Sequence, residues 1–209
     1  MDLDLTTFVY YAFAILIAIT VREAAHAWMA YKLGDYTAKY EGRVTLNPLA
    51  HLDPVGTLMI FIAHFGWGKP VPYNPAHLKN PKTGSALIAI AGITANFITA
   101  LILNLPLQYL NFNAFGTLGA FFYGIISTTV FLNIGLMVFN ILPIAPLDGS
   151  KIIGIFISER YQDEYEQYLS MGPYILIGLI LLQLFGINLL GRFLMPMFDF
   201  VFLAIQLIT

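Results

Sequence analysis

The sequence predicts an all-α polytopic membrane protein with a small re-entrant or interfacial β element between helix one and the later core helices. Its 209 residues are 58% hydrophobic and only 11% charged, whereas soluble domains carry about 25% charged residues. Residues 83–147 contain no Asp, Glu, Lys or Arg. That run is long enough for two spanning helices of about 20 residues each. Two further uncharged runs, at 5–21 and 167–191, predict additional helices.

The first half of the chain predicts helix one and the β element. Helix one is expected over Thr7–Leu33 and ends at Gly34, a residue common at helix C-termini. The N-terminus lacks the basic region of a cleavable signal peptide, so we expect helix one to be retained in the membrane. The polar segment that follows contains strand-like pieces such as GRVTLN. The short apolar stretch Val55–Trp67 favours a re-entrant or partly buried helix, because a full crossing needs more residues.

The second half predicts mainly long helices. Two are expected over Gly84–Leu105 and Gly116–Leu142, separated by a stretch rich in Pro, Asn and Gly. Ser158–Leu169 is charged and predicts a water-exposed interfacial helix. Apolar segments then follow at Gly172–Phe185 and Leu189–Ile208.

Charge and cysteine content exclude several classes of function. The formal net charge of −2 provides no electrostatic footprint for nucleic acid. The chain has no cysteine, which excludes disulfides, cysteine-ligated iron–sulfur clusters and thiol catalysis. Any chemistry must therefore come from the few ionisable residues inside or beside the apolar segments.

Three such residues lie near the C-terminal end of helix one. Arg22, Glu23 and His26 occupy the positions of the zinc-protease pattern His-Glu-x-x-His, with Arg22 where the first His belongs. Arg22 and His26 share a helix face because they are four residues apart. Ionisable side chains inside a membrane helix are costly and indicate a functional site. The structural alternative is a snorkelling cation beside a hydrogen-bonded histidine.

A second motif, NILPIAPLDG, ends the long uncharged run. Asp148 is the first charged residue after that run. Asn140, Pro143 and Pro146 predict a helix end whose turn directs the carboxylate inward. The alternative is an ordinary Asp-Gly turn after a Pro-rich helix end.

Together the two motifs resemble the site-2 protease family of intramembrane zinc metalloproteases. In that family one helix carries His-Glu-x-x-His and a later helix carries Asn-x-x-Pro-x-x-x-Leu-Asp-Gly, which is complete here. The pieces AWMAYKLGDYTAKYEGRVTLNPLAHLDPVGTL, FGWGKPVPYNP and AGITANF resemble the small, compact prokaryotic branch. The resemblance covers residues 8–155. It implies that residues 1–209 form a single integral membrane peptidase-like domain.

The resemblance also implies a role for each motif residue. Glu23 would be the catalytic general base, and His26 and Asp148 would be metal ligands. Asn96 and Asn140 would help to hold the substrate. The implied activity is cleavage of peptide bonds in or near transmembrane segments, with zinc as cofactor. The expected partners are a transmembrane substrate protein and the lipid bilayer, with no nucleic acid, and the expected location is a prokaryotic cell membrane.

Two residues depart from the family pattern. Arg22 does not ligate zinc, because its guanidinium stays protonated. We expect Arg22 to pair with Asp148 or Glu23, since a buried carboxylate needs a cation, and hydrolysis to be lost or impaired. Ile93 stands where the family usually has Pro, close to Asn96.

Other readings stay open at this point. A non-catalytic pseudoprotease that binds transmembrane helices is favoured by Arg22. A small membrane transporter with an internal relay of charges predicts paired half-repeats, which the sequence does not show. Among the other histidines, His64 is the better replacement for the lost ligand, and His51 is expected to be structural.

Overall fold

The computed structural model describes residues 4–53, 55–56 and 68–209. In these residues the chain forms, in order, α1 (Leu5–Lys32), α2 (Thr37–Tyr40), α3 (Pro81–Tyr109), α4 (Gly116–Ile141), α5 (Asp148–Ile153), α6 (Gln162–Leu184) and α7 (Leu189–Ile208). Short 3-10 turns lie at Pro48–Ala50, Pro75–His77, Phe112–Phe115, Gly154–Phe156 and Glu159–Tyr161.

Four of the described helices are long and apolar enough to cross a membrane: α1, α3, α4 with its preceding turn, and α7. This confirms the predicted all-α polytopic class. Local sequence explains where the first two begin. The Asp4 carboxylate accepts the Thr7 N–H at 2.7 Å at the start of α1. Asn80 accepts the Thr83 N–H at 3.0 Å at the start of α3, and such caps satisfy donors that the helix cannot.

The spanning helices pack through small residues. Ala14, Ala18 and Ala27 of α1 and Ala86 and Ala89 of α3 are fully buried. Small side chains let membrane helices approach closely, where lipid provides no hydrophobic driving force between them. This packing of α1 on α3 brings the first motif next to the later helices.

The predicted β element does not form in the described part of the chain. Its one β contact there is an isolated bridge between Leu52 and Gly68. The physical reason lies in a side chain and two prolines. The buried guanidinium of Arg43 donates to the carbonyl of Pro70 at 3.2 Å, and both Pro70 and Pro72 lack the N–H that a β ladder needs.

Two helix predictions need correction, and a third concerns residues outside those that the structure describes. The predicted segments Ser158–Leu169 and Gly172–Phe185 form one helix, α6, which contains Pro173. Helix α3 continues through Pro106, where the loop was expected, because a proline in the last turn removes only one helical hydrogen bond. The re-entrant prediction for Val55–Trp67 falls mainly on residues outside those described.

Asp35 anchors the connection between α1 and the later helices. Its side chain is fully buried. It accepts the Thr37 hydroxyl at 2.6 Å and the Asn74 N–H at 2.7 Å, and lies 3.1 Å from Nδ1 of His77. Burial alone would raise the pKa of Asp35, but the hydrogen bonds from Thr37, Asn74 and His77 outweigh it and hold the pKa below its ordinary value of 3.8.

We therefore expect Asp35→Asn to lower the melting temperature at neutral pH. A carboxyl group whose pKa is lower in the folded state stabilises the fold above its unfolded pKa of about 3.9, and that stability is lost as pH falls through the folded pKa. The gap between the two proteins should shrink below about pH 4. Thermal unfolding across this range measures it, with the exposed Asp163→Asn as control. A gap independent of pH would contradict the assignment.

Candidate active site

Both sequence motifs meet in one cleft of about 510 Å³. Its wall includes Arg22, Glu23, His26, Asn140 and Asp148. A slightly larger groove of about 580 Å³ lies elsewhere on α1 and α3, and its lining contains no ionisable side chain. The chemistry of the described residues is therefore concentrated in the smaller cleft.

The guanidinium of Arg22 forms the centre of this cleft. Its Nη2 donates to Asp148 Oδ2 at 2.6 Å and to Asn140 Oδ1 at 3.0 Å, and its Nε donates to the same Asp148 oxygen at 3.1 Å. Its Nη1 donates to Glu23 Oε1 at 2.6 Å. The expected pairing of Arg22 with a carboxylate is confirmed, and it engages both carboxylates at once.

His26 is oriented as a metal-binding histidine would be. Its ring is buried, and Nδ1 lies 2.8 Å from the carbonyl oxygen of Ile88. Since a carbonyl only accepts, Nδ1 carries a proton, and Nε2 is the ring nitrogen that faces Asp148. Nε2 has no hydrogen-bond partner and lies 3.3 Å from Asp148 Oδ2.

The residues present do not fit a three-ligand zinc site. Catalytic zinc takes three protein ligands and a water, and no group of three metal-ligating side chains occurs in the described chain. His26 and Asp148 converge, but Asp148 Oδ2 already accepts two donors from Arg22. A permanent cation therefore lies between the carboxylates of Asp148 and Glu23. His64 lies outside the described residues, and His51 is buried with Nε2 2.8 Å from the Thr45 carbonyl.

The charges in the cleft balance without a dication. Lys151, one turn after Asp148, places its ammonium 3.6 Å from Asp148 Oδ1. Arg22 and Lys151 thus face the carboxylates of Glu23 and Asp148. Buried carboxylates need such partners, and here arginine and lysine supply them.

Segment 68–73, which has no regular secondary structure after Gly68, forms one wall of the cleft, and the sequence predicted no contact between it and Glu23. The N–H of Val71 donates to Glu23 Oε2 at 3.2 Å. Lys151 also lies over the ring of Tyr73, 5.3 Å from its centroid. A contact made by a backbone N–H cannot be recognised from the residue type. The contact of Lys151 could have been predicted, because this lysine lies three residues after Asp148.

The two predicted substrate residues lie in different places. Asn140 faces the cleft, accepts from Arg22 and donates to the Leu136 carbonyl at 2.8 Å. Asn96 is fully buried between the helices, where it donates to the Ala18 carbonyl at 3.1 Å and to Asn133 Oδ1 at 2.8 Å. Asn96 does not line the cleft.

Gly92 allows α3 to lie against the motif on α1. A Cβ atom at this position would lie 2.3 Å from His26 Nε2 and 3.0 Å from Arg22 Cγ. Ile93, the second departure from the family pattern, lies beside it in an uninterrupted helix. Any larger residue at position 92 must displace the imidazole that faces Asp148.

We expect Gly92→Ala to destabilise the protein by about 1–3 kcal/mol, the usual cost of overpacking a close contact. The matched control is Gly135→Ala on α4, where no atom lies within 4 Å of the added methyl group. Denaturant or thermal unfolding in detergent compares the two variants. Equal stability of the two variants would contradict a tight contact at Gly92 and would show that α3 shifts to accommodate the added methyl group.

The four apolar helices and the cleft that both sequence motifs line define the class of protein: a polytopic membrane protein with a cluster of ionisable side chains between its helices. The chain is 40% identical over 166 residues to "Putative zinc metalloprotease YwhC" of Bacillus subtilis, which covers 78% of this chain and 76% of that relative. It is 30% identical over 138 residues to "Putative zinc metalloprotease Rip2" of Mycobacterium tuberculosis, covering 64% of this chain and 52% of that relative.

A third relative is "Zinc metalloprotease MJ0392" of Methanocaldococcus jannaschii, 34% identical over 83 residues, or 40% of this chain and 23% of that relative. No family model and no solved structure matches the chain. The match covers more than two thirds of this chain and of YwhC, which is enough to assign this chain to the same family. This chain belongs to that zinc metalloprotease family, the site-2 protease family that its motifs resemble.

Proposed function

We propose that this chain is an intramembrane peptidase of the site-2 type in which Arg22 has replaced a zinc ligand. With Arg22 in place, the protein holds a transmembrane segment in the cleft and hydrolyses it poorly or not at all. The observation that carries the proposal is the position of the Arg22 guanidinium, which donates to Asp148, Glu23 and Asn140 together. A bound zinc would supply a Lewis acid for a carbonyl and for water, and Arg22 cannot supply that chemistry because a guanidinium is no Lewis acid.

The contacts of Glu23 also support impaired hydrolysis. One carboxylate oxygen accepts from Arg22 and the other from the Val71 N–H. A general base must come within hydrogen-bond reach of the proton that it takes, and a carboxylate oxygen can accept two hydrogen bonds. A water molecule at Glu23 would therefore have to share an oxygen with Arg22 or with the Val71 N–H.

The apolar lining of the cleft supports a role in holding a substrate. Ile19, Leu136 and Phe139 line it beside the polar residues. Apolar walls with a few polar groups are typical of binding clefts, so an apolar transmembrane segment is the substrate that this cleft suits. The proposed partners are therefore a transmembrane protein and the surrounding bilayer, and the proposed location is a prokaryotic cell membrane.

Elemental analysis of the purified protein beside Arg22→His tests the proposal. We expect no bound zinc in the chain as written and about one zinc per chain in Arg22→His, because the substitution completes a three-ligand set. Arg22→His with Asp148→Asn is the matched control and should hold none. One zinc per chain in both the unchanged protein and Arg22→His would return an active zinc peptidase as the leading function. Zinc in neither would contradict the assignment of His26 and Asp148.

A further inference from the structure

Helix α6 brings two tyrosine hydroxyls onto the turn that carries Asp148. Tyr165 donates to the carbonyl of Ser150, just after the aspartate, and Tyr168 donates to the carbonyl of Pro143, before it. The two rings are stacked, with their centroids 6.4 Å apart. Helix α6 is therefore hydrogen-bonded to the turn on both sides of Asp148.

The approach of α6 to the turn is close. A Cβ atom at Gly172 would lie 2.5 Å from Cβ of Ala145, which is in the turn. A Cβ atom at Gly154 would lie 2.8 Å from the Tyr165 hydroxyl oxygen. Both glycines thus leave room for the contact that the tyrosines make.

The turn has few hydrogen bonds of its own. The Leu147 N–H donates to the Ile144 carbonyl at 2.9 Å, and the Ser150 N–H and hydroxyl donate to the Leu147 carbonyl at 3.2 Å and 2.7 Å. Asp148 is only 1% exposed, so solvent contributes little to the placement of its carboxylate. The backbone of the turn decides where this carboxylate lies, and α6 holds that backbone from outside through hydrogen bonds, while α3 packs against the helix that begins at Asp148.

We propose that Tyr165 and Tyr168 are positioning residues that fix the Asp148 turn. They hold the aspartate carboxylate against the cation beside it, which is Arg22 in this chain. This inference rests on the proposed function, because that function makes Asp148 the residue whose position matters. It gives α6 a role that the family motifs do not contain.

Hydrogen exchange on the chain as written tests the inference without any metal. The double variant Tyr165→Phe with Tyr168→Phe keeps both rings and removes both hydroxyls. We expect the Leu147 and Ser150 amides to exchange about tenfold faster, as the loss of two modest hydrogen bonds implies, with the amides of residues 22–26 unchanged. Tyr174→Phe on the same helix, 77% exposed, is the control. Unchanged exchange, or faster exchange throughout the chain, would overturn the inference.

Zinc affinity in the Arg22→His background provides a second readout. Groups that orient a metal ligand typically change metal affinity by about 10–100-fold when removed, so we expect a weakening of that size in the double Phe variant. Equal affinity with and without the hydroxyls would overturn the positioning role. Absence of zinc from Arg22→His itself would contradict the proposed function alone, and the exchange experiment would then decide this inference by itself.

Discussion

Arg22→Leu is expected to destabilise the protein by about 3–5 kcal/mol, the cost of leaving a buried charge without its partner. The variant removes three hydrogen bonds to the carboxylates of Glu23 and Asp148. Asp148 would remain nearly inaccessible to water, with only the ammonium of Lys151 at 3.6 Å and the His26 ring beside it. Reversible denaturation in detergent measures the change in the free energy of unfolding.

The control for this prediction removes both charges of the pair. Arg22→Leu with Asp148→Leu should recover part of the lost stability, because an apolar pair can replace a buried ion pair at little cost, while the buried Glu23 still lacks its cation. The free energy of unfolding of Arg22→Lys should lie between those of Arg22→Leu and the double variant. Lysine keeps the positive charge but lacks the planar guanidinium that reaches several acceptors. If Arg22→Leu alone leaves stability unchanged, the guanidinium does not serve as the counter-ion of the site.

Arg22→His is expected to make stability depend on zinc. A ligand that binds only the folded state adds about 2.7 kcal/mol at 100 times its Kd, and a chelator should reverse the gain. The chain as written should show no such response, because Arg22 Nη2 and Nε occupy the Asp148 oxygen that faces His26. Thermal unfolding with and without Zn²⁺ measures the difference.

Arg22→His with Asp148→Asn is the control for zinc-linked stability, because an amide is a poor substitute for a carboxylate ligand. We expect it to lose the response to Zn²⁺. An equal zinc response in the unchanged chain would mean that two protein ligands suffice beside the guanidinium. Such a result would contradict the charge-replacement role of Arg22.

The polytopic class and the main helices could be predicted from the sequence because they depend on local composition. Helix α7 has the predicted bounds Leu189–Ile208, and α4 differs by one residue at its end. The β element was wrong for the described residues because Arg43 occupies the carbonyls of Lys69 and Pro70, which a β ladder would need. No local pattern distinguishes a buried arginine that serves this purpose from a charge that flanks a helix.

The site was partly predictable because its two motifs are local patterns in the sequence. The patterns around Glu23 and Asp148 indicated a shared site, and the structure places both in one cleft. The contact between Val71 and Glu23 joins residues far apart in the chain through a backbone N–H, which every residue but proline carries. The grip of Tyr165 on the turn is likewise a tertiary contact, in a region that the motifs do not reach.

The sequence by itself determined the membrane class, the family and the place of Arg22 in the first motif, because hydrophobic runs and motif spacing are properties of the chain alone. Only the tertiary structure decided which groups Arg22 contacts. It shows one guanidinium bonded to Asp148, Glu23 and Asn140 together. A side chain with several donors in a fixed plane selects its acceptors by where the helices place them, and that placement arises from packing α1 against α3 and α4.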